Sequence, residues 1–158
     1  MKDIVYDRAT ISDTEQLVQL RIDYMIDDFG HVTEQEEECM REQLPDYYAR
    51  HLGKELIVFT ARDGEQIVGT AYLLIIEKPA SPLLENGLDG EVLSVFTKKD
   101  YRGRGICTTL MEDLVAYAVD NGLCRVDLMA TDEGYPVYRK VGFTDKTQKY
   151  TDMRYKIR

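Results

Sequence analysis

Hydrophobic and polar positions change period several times along the chain, and each change marks an element. Residues 3–8 read as a short strand. Leu17, Leu20 and Tyr24, with Val18, Ile22 and Met25 beside them, then recur at helical spacing. Ser12-Asp13-Thr14-Glu15 ahead of them has the form of a capping box with Ser12 as the cap, and Asp28-Phe29-Gly30 ends the helix. Thr33-Glu34-Gln35-Glu36 repeats the signature for a second helix, which Pro45 should kink or split before Gly53 stops it. Residues 56–61 are rich in β-formers, Asp63-Gly64 marks a tight turn, and residues 66–77 make a long apolar return strand. Gly69 inside that strand predicts a bulge or a close backbone approach.

Residues 79–90, with two prolines and two glycines, read as a long loop and a candidate substrate-facing segment. A strand over residues 91–97 follows, then an amphipathic helix over 103–121 with Ile106, Leu110, Leu114 and Ala118 on one face. Residues 125–130 read as a strand and residues 133–141 as a short helix. Met153, Tyr155 and Ile157 alternate with Asp152, Arg154 and Lys156, which predicts a last half-buried strand. No repeat or linker interrupts residues 1–158, so one domain is expected.

Charge alters this picture. The 158 residues carry a net charge of −9, and residues 1–60 hold 14 acidic against 6 basic side chains. Nucleic acid is therefore not expected as a partner, since phosphate neutralisation needs a basic footprint. The three cysteines, Cys39, Cys107 and Cys124, form no CxxC pair and predict neither a disulfide framework nor a metal site. The first residues lack the apolar core of a signal peptide and no run suffices for a membrane span, so a cytoplasmic protein without membrane contact is expected.

The basic exception is Val95-Phe96-Thr97-Lys98-Lys99-Asp100-Tyr101-Arg102-Gly103-Arg104-Gly105-Ile106-Cys107-Thr108. Here a strand ends, a glycine-bearing basic turn follows, and a long helix begins. Glycines let the backbone approach an anion closely, and the first helical N–H groups lack chain acceptors. The stretch has neither the Gly-Lys-Ser/Thr of a Walker A loop nor the three glycines of a dinucleotide fingerprint. Its composition is that of a pyrophosphate cradle.

These residues resemble the GNAT superfamily of N-acetyltransferases. The family's acetyl-CoA motif, Arg/Gln-x-x-Gly-x-Gly/Ala at a strand-to-helix turn, is matched by Arg102-Gly103-Arg104-Gly105-Ile106 and departs only where Cys107 replaces the small last residue. Tyr138-Arg139-Lys140-Val141-Gly142-Phe143 resembles the family's Tyr-x-x-x-Gly-Phe element. The resemblance implies an α/β (α+β) fold: a mixed, mostly antiparallel twisted sheet flanked by helices, in the order β-α-α-β-β-β-α-β-α-β. It implies acetyl-CoA as co-substrate, a primary amine of a small, cationic molecule or of a protein as acceptor, and no metal, and it leaves both a monomer and a homodimer open. By the same carry-over, backbone groups of the Val95-Phe96-Thr97 strand pair with the pantetheine arm, and the Val95 N–H lies at the thioester carbonyl. Backbone N–H groups of Gly103, Arg104, Gly105, Ile106, Cys107 and Thr108 hold the pyrophosphate, with the Arg102 and Arg104 side chains nearby.

Tyr138 becomes the general acid for the departing thiolate. Glu91, eleven residues before Arg102, matches the register of a general-base glutamate in the histone-acetylating branch. Tyr24, Tyr47 and Tyr48 are candidates for lining an acceptor pocket. The acidity of Glu34, Glu36, Glu37 and Glu38 would then attract a cationic acceptor. The rival readings are a non-catalytic acyl-CoA sensor and a transferase with another acyl donor or acceptor.

Overall fold

Two consecutive strands whose residues are apolar on both faces must lie between two layers, and they form the centre of the sheet. The structure, a computed structural model describing residues 3–158, contains β1 (Val5–Arg8), a 3₁₀ turn (Ile11–Asp13), α1 (Thr14–Phe29) and α2 (Glu34–His51). There follow β2 (Leu56–Asp63), β3 (Gln66–Glu77), β4 (Leu88–Thr97), a second 3₁₀ turn (Lys99–Tyr101), α3 (Ile106–Asp120), β5 (Arg125–Asp127) and α4 (Tyr135–Val141). The strands lie side by side in chain order, antiparallel throughout except for the parallel pair β4–β5. That parallel pair is joined by the α3 crossover, as parallel strands require.

Alternation along β2 separates two cores. Ile57, Phe59 and Ala61 face α3, whose Leu110, Met111 and Leu114 are fully buried against them. Leu56 and Val58 face α1 and α2, where Leu17, Ile22 and Tyr48 are fully buried. Each such side chain contributes roughly 1.5–3 kcal/mol of burial. Gly69 on β3 does both things its position predicts. A bulge interrupts the β2 ladder opposite it between Ala61 and Arg62, and a Cβ on Gly69 would lie 2.9 Å from the Ile106 side chain. The missing side chain lets the N-terminus of α3 settle against the sheet.

Several local expectations are corrected. The capping box falls two positions earlier than Ser12 suggests: the Thr10 N–H donates to Asp13 Oδ2 at 2.8 Å, and a 3₁₀ turn precedes α1. The Thr33–Glu36 box forms in both directions, with Thr33 N donating to Glu36 Oε2 at 2.9 Å and Glu36 N donating to Thr33 Oγ1 at 3.2 Å. Pro45 does not split α2. It lies on the exposed side, where water can serve the carbonyl its missing N–H leaves, and Tyr48 anchors the following turn in the core.

The final strand of the expected order is absent, since residues 143–158 form no regular element and Met153, Tyr155 and Ile157 are exposed. A strand needs a ladder partner, and β5 is only three residues long, so the alternation has nothing to bury against. Among the described residues no helix is long and apolar enough to cross a membrane.

Candidate active site

The site grows from the way β4 leaves β5. The two strands pair only at Asp89–Arg125, Gly90–Val126 and Glu91–Asp127. Gly90 permits that closure, because a Cβ there would lie 2.9 Å from Leu123 and 3.2 Å from Val126. Asp89, nearly buried, secures the same end, accepting from Lys78 Nζ at 2.7 Å and Arg125 Nη2 at 3.0 Å. Beyond Glu91 the pairing stops, because β5 ends at Asp127, and the edge of β4 from Val92 to Thr97 has no strand partner on that side.

Within that stretch a bulge sets two residues, Ser94 and Val95, against the single Ala71 of β3, with Ser94 at φ 50°. Such bulges re-aim backbone groups and side chains. Val92 and Val95 consequently pack on the α3 side, Leu93 and Phe96 on the α1–α2 side.

At the open end the chain turns into α3 over Gly103 and Gly105, both in the left-handed region at φ 76° and 77° with open space above them. Among the described residues, no chain carbonyl accepts from the backbone N–H groups of Gly103, Gly105, Ile106, Cys107 or Thr108. These amides cluster at the positive end of a fifteen-residue helix, a setting that fits the pyrophosphate of coenzyme A. The two arginines are already engaged. Arg102 Nε donates to the Thr97 carbonyl at 2.9 Å and Nη2 to Asp27 Oδ2 at 3.1 Å, while the guanidinium lies over the Phe96 ring. Arg104 Nη2 donates to the Asp100 carbonyl at 3.0 Å, and Tyr101 ties the turn to Asp63 at 2.7 Å. Both arginines therefore brace the turn. The Phe96 and Ile106 side chains are buried in the two cores, which leaves their backbone groups for a ligand.

Tyr138 on α4 reaches the same region from the α3 side, half-buried and edge-on to Phe143. Burial pushes its phenol well above the ordinary tyrosine range, with smaller contributions from Cys107 and Tyr24. Its proton is thus retained at every ordinary pH, the state an acid needs. Gly134 makes room for it, because a Cβ there would lie 2.8 Å from the Tyr138 ring. Burial also raises the Cys107 thiol, which disfavours the thiolate and a covalent acyl-cysteine. Glu91 is half-buried where the pairing with β5 ends and, by strand alternation, shares the face of Leu93. Glu91 and Tyr138 therefore approach β4 from opposite faces.

On the α1–α2 face a cavity of about 500 Å³ is lined by Arg21, Leu44, Tyr47, Tyr48, Tyr72 and Leu93, with Glu42, Asp46 and Arg50 among the other lining residues. Tyr48 and Tyr72 share a buried hydroxyl–hydroxyl bond of 2.5 Å, and burial raises both phenols. Of the three candidate tyrosines, Tyr47 and Tyr48 line this cavity, whereas Tyr24 packs edge-on against Phe96. The loop before β4 lines neither this cavity nor a second one of about 480 Å³ beside Lys98 and Lys99. It is closed on itself by Lys78 N to Gly87 O at 2.8 Å and tied by Asn86 to the Gly122 carbonyl at 2.7 Å. Glu34, Glu36, Glu37 and Glu38 line neither cavity: Glu36 is spent on the cap and Glu37 on Arg41.

Arg21 and Tyr72 were not singled out by sequence. The available signal was a charged residue inside the apolar stripe of α1, four after Leu17 and three before Tyr24.

A short parallel pair, a bulged strand and an amide-lined helix start point to an acyltransferase of the GNAT kind, and comparison with known proteins agrees. The sequence profile of the acetyltransferase (GNAT) family matches residues 15–143, and the chain belongs to that family. It is accordingly an acetyl-CoA-dependent N-acetyltransferase. Among solved structures it is similar to a predicted acetyltransferase with acetyl-CoA from Clostridium acetobutylicum, at 27% identity and TM-score 0.83, covering 96% of each chain. A GCN5-related N-acetyltransferase from Ralstonia eutropha JMP134 shares the fold at 20% identity and TM-score 0.77, over 96% of this chain and 99% of that one. So does glucosamine-6-phosphate N-acetyltransferase from Arabidopsis thaliana, at 19% and 0.68 over the same shares. No curated protein matches the chain.

Proposed function

We propose that the protein moves an acetyl group from acetyl-CoA directly to a primary amine, with Tyr138 as general acid and Glu91 as general base. The observation that carries this reading is the β5-side edge of β4, unpaired beyond Glu91–Asp127, followed along the chain by the free amides at the start of α3. Backbone groups of Val95 and Thr97 pair with the pantetheine arm along the unpaired edge of β4, and the amides from Gly103 to Thr108 hold the pyrophosphate. Lys98 and Lys99 add positive charge beside the turn.

An amine with a pKa of about 10.4 is protonated at neutral pH and cannot attack until it loses that proton. Glu91 takes it, directly or through water. The nitrogen lone pair then forms the C–N bond, and the Val95 N–H stabilises the carbonyl oxygen as negative charge gathers on it. When the C–S bond breaks, the electron pair leaves with sulfur and Tyr138 supplies the proton. Tyr138 packs on the α3 side of β4 and Glu91 shares the face of Leu93, so acid and base stand on opposite faces of the strand whose edge takes the donor. A cytoplasmic setting agrees with three cysteines that all remain free thiols.

Thiol release from acetyl-CoA across an amine panel tests the activity. Tyr138→Phe should lower kcat by about 10²–10⁴-fold with acetyl-CoA affinity retained, the usual range for general acid–base work. An unchanged rate removes Tyr138 from the mechanism. Binding of acetyl-CoA without thiol release for any amine would make the protein a sensor instead.

A further inference from the structure

Three arginines are half-buried: Arg21, Arg62 and Arg102. Two are satisfied internally. Arg62 is clasped by Asp7 and Asp13, each at 2.8 Å, and Arg102 binds Asp27 and the Thr97 carbonyl. Arg21 is different. In a chain of net charge −9 it pairs with no carboxylate among the described residues, and its one contact of note is the Tyr24 ring, 5.8 Å away. It lines the cavity of about 500 Å³ instead, and its positive field opposes the effect of burial at the phenols of Tyr47, Tyr48 and Tyr72. Partial burial of a guanidinium without an anion is costly, so such a group marks where an anion belongs.

Leu93 connects the cavity to the stretch of β4 assigned to the thioester. It lines the wall and lies two residues before Val95 on that strand. We infer that the acceptor is an amine that also carries a carboxylate or phosphate, with Arg21 receiving that anion while the amino group points along β4 toward Val95. The inference rests on the proposed acetyl transfer and names the substrate class of its acceptor site. A planar guanidinium presents two parallel donors to either oxyanion. The three tyrosines and two leucines of the lining suit an apolar or aromatic body between the two polar ends. Of the other charges in the lining, Asp46 is paired with Arg50 and Glu42 can face the ammonium end, which leaves Arg21 for the anion of a zwitterionic acceptor.

The test compares wild type, Arg21→Gln and Arg21→Lys at saturating acetyl-CoA, with amines in matched pairs. Phenylalanine is set against phenylalaninamide, and O-phosphoethanolamine against ethanolamine. Wild type should favour the anionic member of one pair, and which pair it is separates carboxylate from phosphate. Arg21→Gln should lower kcat/KM for that member by about 10–100-fold, mainly through KM, leave its counterpart without the anion within about twofold, and recover in part in Arg21→Lys. Equal use of both members by wild type, or equal loss for both in Arg21→Gln, overturns the inference.

Titration of N-acetylphenylalanine and N-acetylphosphoethanolamine into the CoA-loaded protein reads the same contact without turnover. Binding that Arg21→Gln abolishes supports the anion site, and binding indifferent to Arg21, or none, overturns it. Arg21-dependent binding with no thiol release from any amine would overturn acetyl transfer and leave the anion site standing. Brisk turnover only of amines that lack the anion would do the reverse.

Discussion

Tyr138 works at a position that another residue makes possible. Gly134 has an ordinary φ of −78°, so alanine is conformationally acceptable there, and only its Cβ conflicts with the phenol ring at 2.8 Å. Gly134→Ala should therefore shift the ring and lower kcat by about tenfold or more, as small displacements of catalytic groups do, while KM for acetyl-CoA stays near wild type. Steady-state kinetics separate the two parameters. The Tyr48–Tyr72 pair poses a different question. Each hydroxyl is buried and serves as the other's partner. Tyr72→Phe should cost about 1–3 kcal/mol by stranding the Tyr48 hydroxyl, and the Tyr48→Phe/Tyr72→Phe double variant should lose less than the sum. Urea denaturation of the four proteins measures that coupling.

Elements set where these residues stand. The contact of Gly69 with Ile106 lets α3 start close to β3, and α3's first turn is the amide cradle. Gly69→Val would meet Ile106 and Leu110 in a packed core, at 2.9 Å and 3.3 Å already for its Cβ. The expected results are a loss of about 1–3 kcal/mol in stability and weaker acetyl-CoA binding, read by denaturation and by calorimetric titration. The first turn of α2 gives the opposite expectation. Because Glu34, Glu37 and Glu38 line neither cavity, replacing them with glutamine should leave KM for the amine within about twofold at low salt, where exposed charges act most strongly. A larger rise in KM would return those carboxylates to the acceptor's path.

Across the whole molecule, four carboxyls among the described residues, Asp13, Glu36, Glu55 and Asp89, are held below their ordinary range, and two of them, Asp13 and Asp89, sit in ion pairs with residues of the sheet. Arg62 holds the Asp13 carboxyl below its ordinary value. At Asp89 burial acts upward but is outweighed by the hydrogen bonds from Arg125 and Lys78, so its carboxyl is also depressed. A carboxylate whose folded pKa lies below its unfolded value of about 3.9 stabilises the fold above that pH, and this stabilisation is lost as pH falls through the folded pKa. Stability should be flat from about pH 5 to 8 and decline below about pH 4, and Asp13→Asn should be less stable at pH 7 yet show a shallower acid decline. Thermal unfolding across pH checks both.

The sequence alone determined the sheet-and-helix order through α4, the glycine turn, and the two motifs at Arg102–Cys107 and Tyr138–Phe143. Those signals are local: strand alternation, helical stripes, caps and glycines act over a few residues and need no partner. It misjudged what depends on a partner. The alternation at Met153, Tyr155 and Ile157 found no strand to join, the loop before β4 closed on itself, and Pro45 was carried by a helix anchored elsewhere. Tertiary structure alone decided that Arg102 braces the turn, that Glu91 and Tyr138 come to β4 from opposite faces, and that α2's first glutamates face away from the cavities. It also decided that Arg21 is left without a carboxylate. A charge's role depends on which neighbours fold against it, and those neighbours come from α2, β3 and β4, tens of residues away along the chain.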